Sequence, residues 1–485
     1  MREHEVLSNY LGGAWIPASS GRAQPVHDPA TGERLAEVPL SGAADVDRAV
    51  TVAGQALATW RRVPAVQRAR TLQRFRDLLE RSAQELARTI TAEHGKTLDE
   101  ARGEVRRAVE HVEHACAVPS MLMGRGLEDI AAGLDCEASR QPVGVFTAIT
   151  ALDAPAAGPL GFWPYAVAAG NTFIVKPSEL VPLSQQLLFE LAHEAGFPAG
   201  VVNLLHGDRE AARALVDHPG VAGVSFVGST PAAREVYAAA AAAGKRVQAF
   251  GGARNHIVVM PDADLDRTAA AVAESCFGCA GQRCLAGGVV IGVGEVYGEL
   301  RSRLLDEARR ITLGHGLEPG VGMGPLCSGR HLDRVASLVH VGLEEGASLV
   351  LDGRGAEVKG HPKGSWMGPT ILENVRPGST LAREEVYGPV MVLARAADLD
   401  QALRLLEDSP LHHAASIFTQ NGRIAREFRQ AAGVGTVGVN VGVAAPMAFF
   451  PFGGARGSFY GDLKAHGEDA IRFFTDARVV ISRWF

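Results

Sequence analysis

Cysteine is scarce in this chain, six among 485 residues, too few for a disulfide scaffold and suited to a reducing cytoplasm. Basic blocks are missing as well: 48 Lys and Arg are scattered among 54 Asp and Glu, giving a net charge of -6, so nucleic acid is not an expected partner. No apolar stretch runs for the roughly 18 uninterrupted residues that a bilayer-spanning helix needs, and the polar start MREHEVLSNY lacks the apolar centre of a signal peptide. There is no repeat at solenoid period and no long linker. What remains is a soluble cytoplasmic chain with 47% hydrophobic residues, long enough to bury more than one core.

Its fold class reads as α/β. From Ala44 to about Ser120, apolar residues such as Leu72, Phe75, Leu78 and Leu79 recur at helical spacing, which predicts a helical layer. Short β-branched runs follow, Val145 to Ile149, Asn171 to Val175, Val201 to Leu205 and Val224 to Val227, separated by helical lengths that imply a parallel sheet. A second such series begins near His256 to Met260, continues through Gly288 to Ile291 and reaches Gly438 to Asn440. Gly133 to Val143 and the tail Arg478 to Phe485 fit neither series. They read as outward strands that pair with another subunit, making a homodimer or homotetramer the expected assembly. The alanines from Ala238 to Ala243 read as part of a helix without chemistry.

Two segments suggest a dinucleotide. Ile174-Val175-Lys176-Pro177-Ser178-Glu179 leaves a strand for a turn, with a cation and a carboxylate at a sheet edge. A glutamate there can accept hydrogen bonds from both adenosine ribose hydroxyls and repel a 2'-phosphate, favouring NAD over NADP; taken alone, the segment is equally a plain surface turn. In Phe226-Val227-Gly228-Ser229-Thr230-Pro231 a strand ends and a proline opens a helix, whose free N–H groups suit a pyrophosphate. No G-x-G-x-x-G occurs at this turn, which argues against an ordinary Rossmann dehydrogenase.

The densest chemical signal is Ser275-Cys276-Phe277-Gly278-Cys279-Ala280-Gly281-Gln282-Arg283-Cys284. Its three thiols lack the second Cys pair that tetrahedral zinc requires, so no metal is expected. Cys276 and Cys279 read as packing residues of an apolar helix. Cys284 follows small residues that admit a substrate, beside a cation expected to lower its pKa, and reads as a nucleophile. The neighbours His111 and His114, and the pair His412 and His413, read as surface histidines.

These residues resemble the aldehyde dehydrogenase superfamily, and within it the coenzyme A-acylating methylmalonate-semialdehyde dehydrogenases. The resemblance spans nearly the whole chain and rests on Gly170 to Glu179, Phe226 to Thr230, Ala280 to Cys284 and Glu384-Glu385-Val386-Tyr387-Gly388-Pro389-Val390, in that order. Val112 to Cys116, Ala253 to His256 and Gly457 to Asp462 carry the likeness to the narrower branch. It implies two Rossmann-like α/β domains with a β-strand oligomerisation arm: residues 1–123 and 144–251 binding NAD, 252–464 catalytic, 124–143 and 465–485 the arm. It further implies Cys284 as nucleophile, Lys176 and Glu179 on the adenosine ribose, Ser229 on the pyrophosphate and Glu385 on the nicotinamide ribose. Thr150, Leu152 and Gly251 would line the cofactor groove, and Arg107 and Arg283 would clasp the carboxylate of a small anionic aldehyde. Without the resemblance, Arg107 reads as a solvated helix face, since Arg102, Glu104, Arg106 and Glu110 surround it.

The chain departs from the superfamily at two positions. Phe250 falls where most members carry the glutamate that activates a deacylating water, so that residue cannot do so here. This agrees with release of the acyl group to coenzyme A, although the resembling branch has a polar residue there. Asp153, in Leu152-Asp153-Ala154-Pro155, falls where the superfamily has an asparagine donor to the developing oxyanion. A neutral Asp153 would keep such a donor; an ionised one would oppose the chemistry. The leading expectation is NAD-dependent oxidation of malonate- or methylmalonate-semialdehyde. The alternatives are a hydrolytic dehydrogenase for another acidic or phosphono-aldehyde, and an impaired relative that only binds NAD.

Overall fold

The β-branched runs form strands because their side chains pack on both faces of parallel sheets, where helices shield the backbone from water. The computed structural model describes residues 6–485; residues 1–5 of the polar amino-terminal stretch lie outside them. An eight-stranded sheet runs in the order Ala14–Ile16, Asn9–Leu11, Val202–Leu204, Thr172–Lys176, Val145–Ile149, Val221–Val227, Arg246–Phe250, Phe459–Tyr460. Its five central strands are parallel, and the short edge strands at either end run antiparallel. The expected helical layer lies against it as Ala43–Trp60, Ala65–Arg81, Ala83–His94 and Leu98–Cys116, with Leu72, Phe75, Leu78 and Leu79 all buried.

A seven-stranded sheet follows in the order Ser348–Leu351, Thr370–Glu373, Val390–Ala396, Gly287–Val293, Asn255–Val259, Ala414–Phe418, Thr436–Val439, parallel except at the Ser348–Leu351 edge. A three-stranded antiparallel sheet joins Thr475–Arg483, Leu134–Pro142 and Arg125–Ala131. On it Leu127, Val479 and Ile481 are 62–66% exposed, more apolar surface than water tolerates comfortably. Residues 467–474, expected in the arm, instead form the helix Gly467–Phe474, whose Phe473 and Phe474 pack in the first core. Likewise Phe459–Tyr460, expected in the catalytic portion, completes the edge of the first sheet. Among the described residues no helix is long and apolar enough to cross a membrane.

Candidate active site

The groove originates at a reversal of strand order. Val145–Ile149 and Val221–Val227 are parallel neighbours, but the chain leaves the first to build one half of the sheet and the second to build the other. Their outgoing loops therefore diverge and leave a crevice beyond the carboxyl ends, the usual seat of a dinucleotide. Thr150, Leu152 and Asp153 leave the first strand, Ser229 leaves the second, and Lys176 and Gly251 end or follow flanking strands; all line one groove with Glu179, Cys284 and Glu385.

At its outer end the Lys176 ammonium, buried at 4% exposure, lies 3.3 Å from a Glu179 carboxylate oxygen. Burial lowers the Lys176 pKa, and the Glu179 charge opposes that shift. Ser229 caps the helix Thr230–Ala242 with no side-chain hydrogen bond, leaving the first-turn N–H groups free toward the groove. Further in, a Glu385 oxygen accepts the Ala253 N–H at 2.9 Å, while Arg334 donates to the carbonyls of Glu385 and Val386 at 2.9 and 2.8 Å. A Cβ on Gly252 would stand 2.5 Å from Glu385 Oε2, so only bare backbone fits that crossing. An anionic pyrophosphate and two riboses find a helix N-terminus and two carboxylate acceptors here, so these residues fit NAD.

The loop leading to Cys284 is a tight left-handed turn. After the helix Leu265–Phe277 the chain takes φ +53° at Cys279, +52° at Ala280 and +67° at Gly281. Such angles are costly for the two non-glycine residues and persist only because their surroundings impose them. Glu100 supplies one restraint, accepting the Cys279 N–H at 2.5 Å. Close packing supplies another: a Cβ on Gly281 would lie 2.1 Å from Gly388 O, which seats the Glu384–Val390 segment directly against this turn. Beyond the turn, Asn255 donates to the carbonyls of Cys284 and Ala286 at 2.9 and 2.8 Å and accepts from Ala414 N–H at 2.9 Å. Cys279 is thus a turn residue and not part of the helix as expected, because the helix stops at Phe277; Cys276 is buried in it as expected.

The electrostatics at Cys284 overturn one expectation. Its thiol pKa is raised well above the ordinary value, first by burial, then by the carboxyls of Asp153 and Glu385, with Arg283 a minor opposing influence. Arg283 has little effect because it turns away. Its guanidinium donates to Glu274 O and, at 3.2 Å, to Ser275 O, capping the last carbonyls of the helix Leu265–Phe277. Asp153 is also raised, chiefly by burial; Lys96 and the backbone N–H groups of Asp153 and Cys284 hold it down, and Glu104 pushes it up. Burial lifts Glu385 to about 7. Two carboxyls and a thiol, all partly exposed, thus share one end of the groove, and each is shifted toward its neutral form.

Phe250 offers no charge there. It is 3% exposed and packs against Phe162, Phe452 and Phe459, with ring centroids 5.9, 6.3 and 5.1 Å away. Arg107 is not a solvated face: it donates to Glu110 at 2.7 Å and to Pro446 O at 3.0 Å, reaching across to the 446–450 segment. Of the four histidines read as surface residues, three are buried and His114 is half-buried. His111 is buried with its ring 4.1 Å from that of His466, and Tyr165 Oη lies 3.4 and 3.2 Å from Nδ1 of His111 and His114. His412 and His413 are buried at 1% and 2% exposure in the strand segment beside Ala414–Phe418. Adjacent apolar elements cover these rings, which local sequence does not reveal.

Lys96, Glu100 and Glu104 were not singled out from the sequence, though all three reach the groove walls. Thr97 and Glu100 form a capping box, in which Thr97 Oγ1 accepts Glu100 N–H at 3.3 Å and Glu100 Oε2 accepts Thr97 N–H at 2.8 Å. The second Glu100 oxygen meets Cys279 N–H, a contact between segments far apart in sequence.

The Aldehyde dehydrogenase family matches residues 15–480. A malonate-semialdehyde dehydrogenase of Geobacillus thermodenitrificans is 46% identical with all of both chains covered, and one of Halalkalibacterium halodurans is 44% identical over 99% of each. Among solved structures, one from Sinorhizobium meliloti 1021 in complex with NAD, provisionally named a methylmalonate-semialdehyde dehydrogenase, matches at TM-score 0.98 and 38% identity over 100% of this chain and 99% of that one. The methylmalonate-semialdehyde dehydrogenase of Oceanimonas doudoroffii matches at 0.97 and 38% identity, covering 99% and 98%. With the family matching nearly the whole chain and relatives 44–46% identical along it, the chain belongs to the aldehyde dehydrogenase family.

Proposed function

We propose that this protein oxidises a small anionic semialdehyde, malonate- or methylmalonate-semialdehyde, with NAD, and passes the acyl group to coenzyme A. The carrying observation is the shared groove end of Cys284, Asp153 and Glu385, with the apolar Phe250 ending the strand that leads to Gly251 on the groove wall. The names of the full-length relatives support the substrate class.

Cys284 and Asp153 act as a pair that titrates together. With the shared proton on Asp153, the sulfur is a thiolate and the carboxyl is a neutral donor. The thiolate attacks the aldehyde carbon, and the oxyanion that forms takes hydrogen bonds from the Asp153 acid and the Cys284 backbone N–H. Bound NAD supplies the acceptor for the hydride leaving that carbon. Lys176, Glu179, Ser229 and Glu385 hold the dinucleotide, with Thr150, Leu152 and Gly251 lining its path, and the product is a thioester on Cys284. Phe250 excludes water activation from its strand, so the acyl group leaves for the thiol of coenzyme A. Arg107 meets the substrate carboxylate from across the 446–450 segment; Arg283, engaged with helix carbonyls, supports the loop instead.

The arm carries assembly to a homodimer or homotetramer in the cytoplasm, since its exposed apolar strands call for a covering subunit. Purified protein mixed with NAD and a panel of acidic semialdehydes, with and without coenzyme A, tests the reading. NADH and an acyl-coenzyme A product are expected, with an acyl adduct by intact mass that Cys284→Ala removes. A free acid formed equally fast without coenzyme A would transfer the assignment to a hydrolytic dehydrogenase, and NAD binding without turnover would make the chain an impaired relative.

A further inference from the structure

Asp153 sits in an irregular loop between the strand Val145–Ile149 and the short helix Ala157–Leu160, where nothing in regular secondary structure fixes its carboxyl. One stretch of chain restrains this loop from outside. Lys96 and Glu104 form an ion pair at 2.6 Å with side chains only 3% and 8% exposed. The remaining capacity of both groups goes to the loop. Lys96 Nζ donates to the Asp153 carbonyl at 2.7 Å, and Glu104 Oε1 accepts the N–H groups of Ala156 and Ala157 at 2.7 and 3.2 Å. The intervening Glu100 holds the Cys279 N–H at 2.5 Å, so residues 96–104 grip both the oxyanion loop and the nucleophile turn. Burying two charges is expensive, and such a pair contributes little net stability, which makes its hydrogen bonds to one loop the more telling feature.

We propose that Lys96 and Glu104 are positioning residues for Asp153: their ion pair holds its loop against Cys284 and sets two opposed charges beside it. This rests on the reading of Asp153 as a neutral acid. The groups facing Asp153 are Lys96 and Glu104 from the helical layer, Cys284 from the nucleophile loop, and Glu385 and Tyr387 from the segment packed on it. Lys96 favours the carboxylate and Glu104 the acid, so removing either charge shifts Asp153 in a known direction.

The experiment is infrared difference spectroscopy of the whole enzyme across pH, following the protonated-carboxyl band that disappears in Asp153→Asn. In Lys96→Met the band should persist to higher pH, and in Glu104→Gln it should vanish at lower pH, each by on the order of one pH unit. kcat should fall in both, on the order of tenfold, with KM for NAD little changed. Glu104→Gln keeps shape and an acceptor and decides the matter alone where Lys96→Met does not fold. A merely structural pair would lower activity without opposed shifts. Shifts in one direction, or none, overturn the proposal, while absence of an Asp153 band in the unaltered enzyme at neutral pH overturns the reading of Asp153 itself.

Discussion

The two ends of the groove solve opposite electrostatic problems. At one end Lys176 and Glu179 pair at 3.3 Å, opposite charges side by side on the groove wall. At the thiol end Cys284, Asp153 and Glu385 crowd together, and the nearest arginine in sequence, Arg283, has its guanidinium on helix carbonyls. In the function proposed above, paired charges would recognise a charged ligand at the first end, whereas at the second the surroundings raise the pKa of each acid and favour its neutral form.

The contrast is broken most severely by Cys284→Ala, expected to reduce turnover about 10,000-fold or more while NAD still binds by fluorescence titration. Asp153→Ala should cost about 100- to 1000-fold in kcat, the loss of one oxyanion donor. Asp153→Asn sharpens the point through pH. Because the Asp153 pKa is raised, its acid form is present at low pH and lost as pH rises through that value, so kcat/KM should fall on the alkaline side. The amide donates at every pH, and the alkaline fall should be absent from the Asn variant's profile; an unchanged profile would count against a neutral Asp153.

Arg107→Leu is expected to lower kcat/KM for an anionic semialdehyde on the order of 10- to 100-fold and to spare an uncharged aldehyde of similar size. At the other end, Glu179→Gln should weaken NAD on the order of tenfold without changing the pH profile. The smallest effect is expected from Arg283→Met. It should reduce stability by about 1 kcal/mol in a denaturant titration through loss of a helix cap, with little change in substrate KM. A large rise in KM would return Arg283 to the substrate.

Much of this was legible in advance because it is local. Val145 to Ile149 and Asn171 to Val175 are strands by their β-branched composition, and Pro231 opens its helix as its missing N–H permits. The histidines were misread for the same reason: His111 lies on a charged helix, and only the approach of Tyr165 and His466 buries it. Arg283 neighbours Cys284 in sequence, yet the turn at Cys279 to Gly281 sends the two side chains to different partners.

The sequence by itself determined the alternating α/β elements, Cys284 as the candidate nucleophile, and the two substitutions, Phe250 and Asp153, that set this chain apart from the pattern it resembles. Only the tertiary structure decided which neighbours shift the pKa values of Cys284 and Asp153. A pKa depends on what lies within a few ångströms and how much water is excluded, and here the neighbours come from segments as far apart as Lys96, Asp153, Cys284 and Glu385.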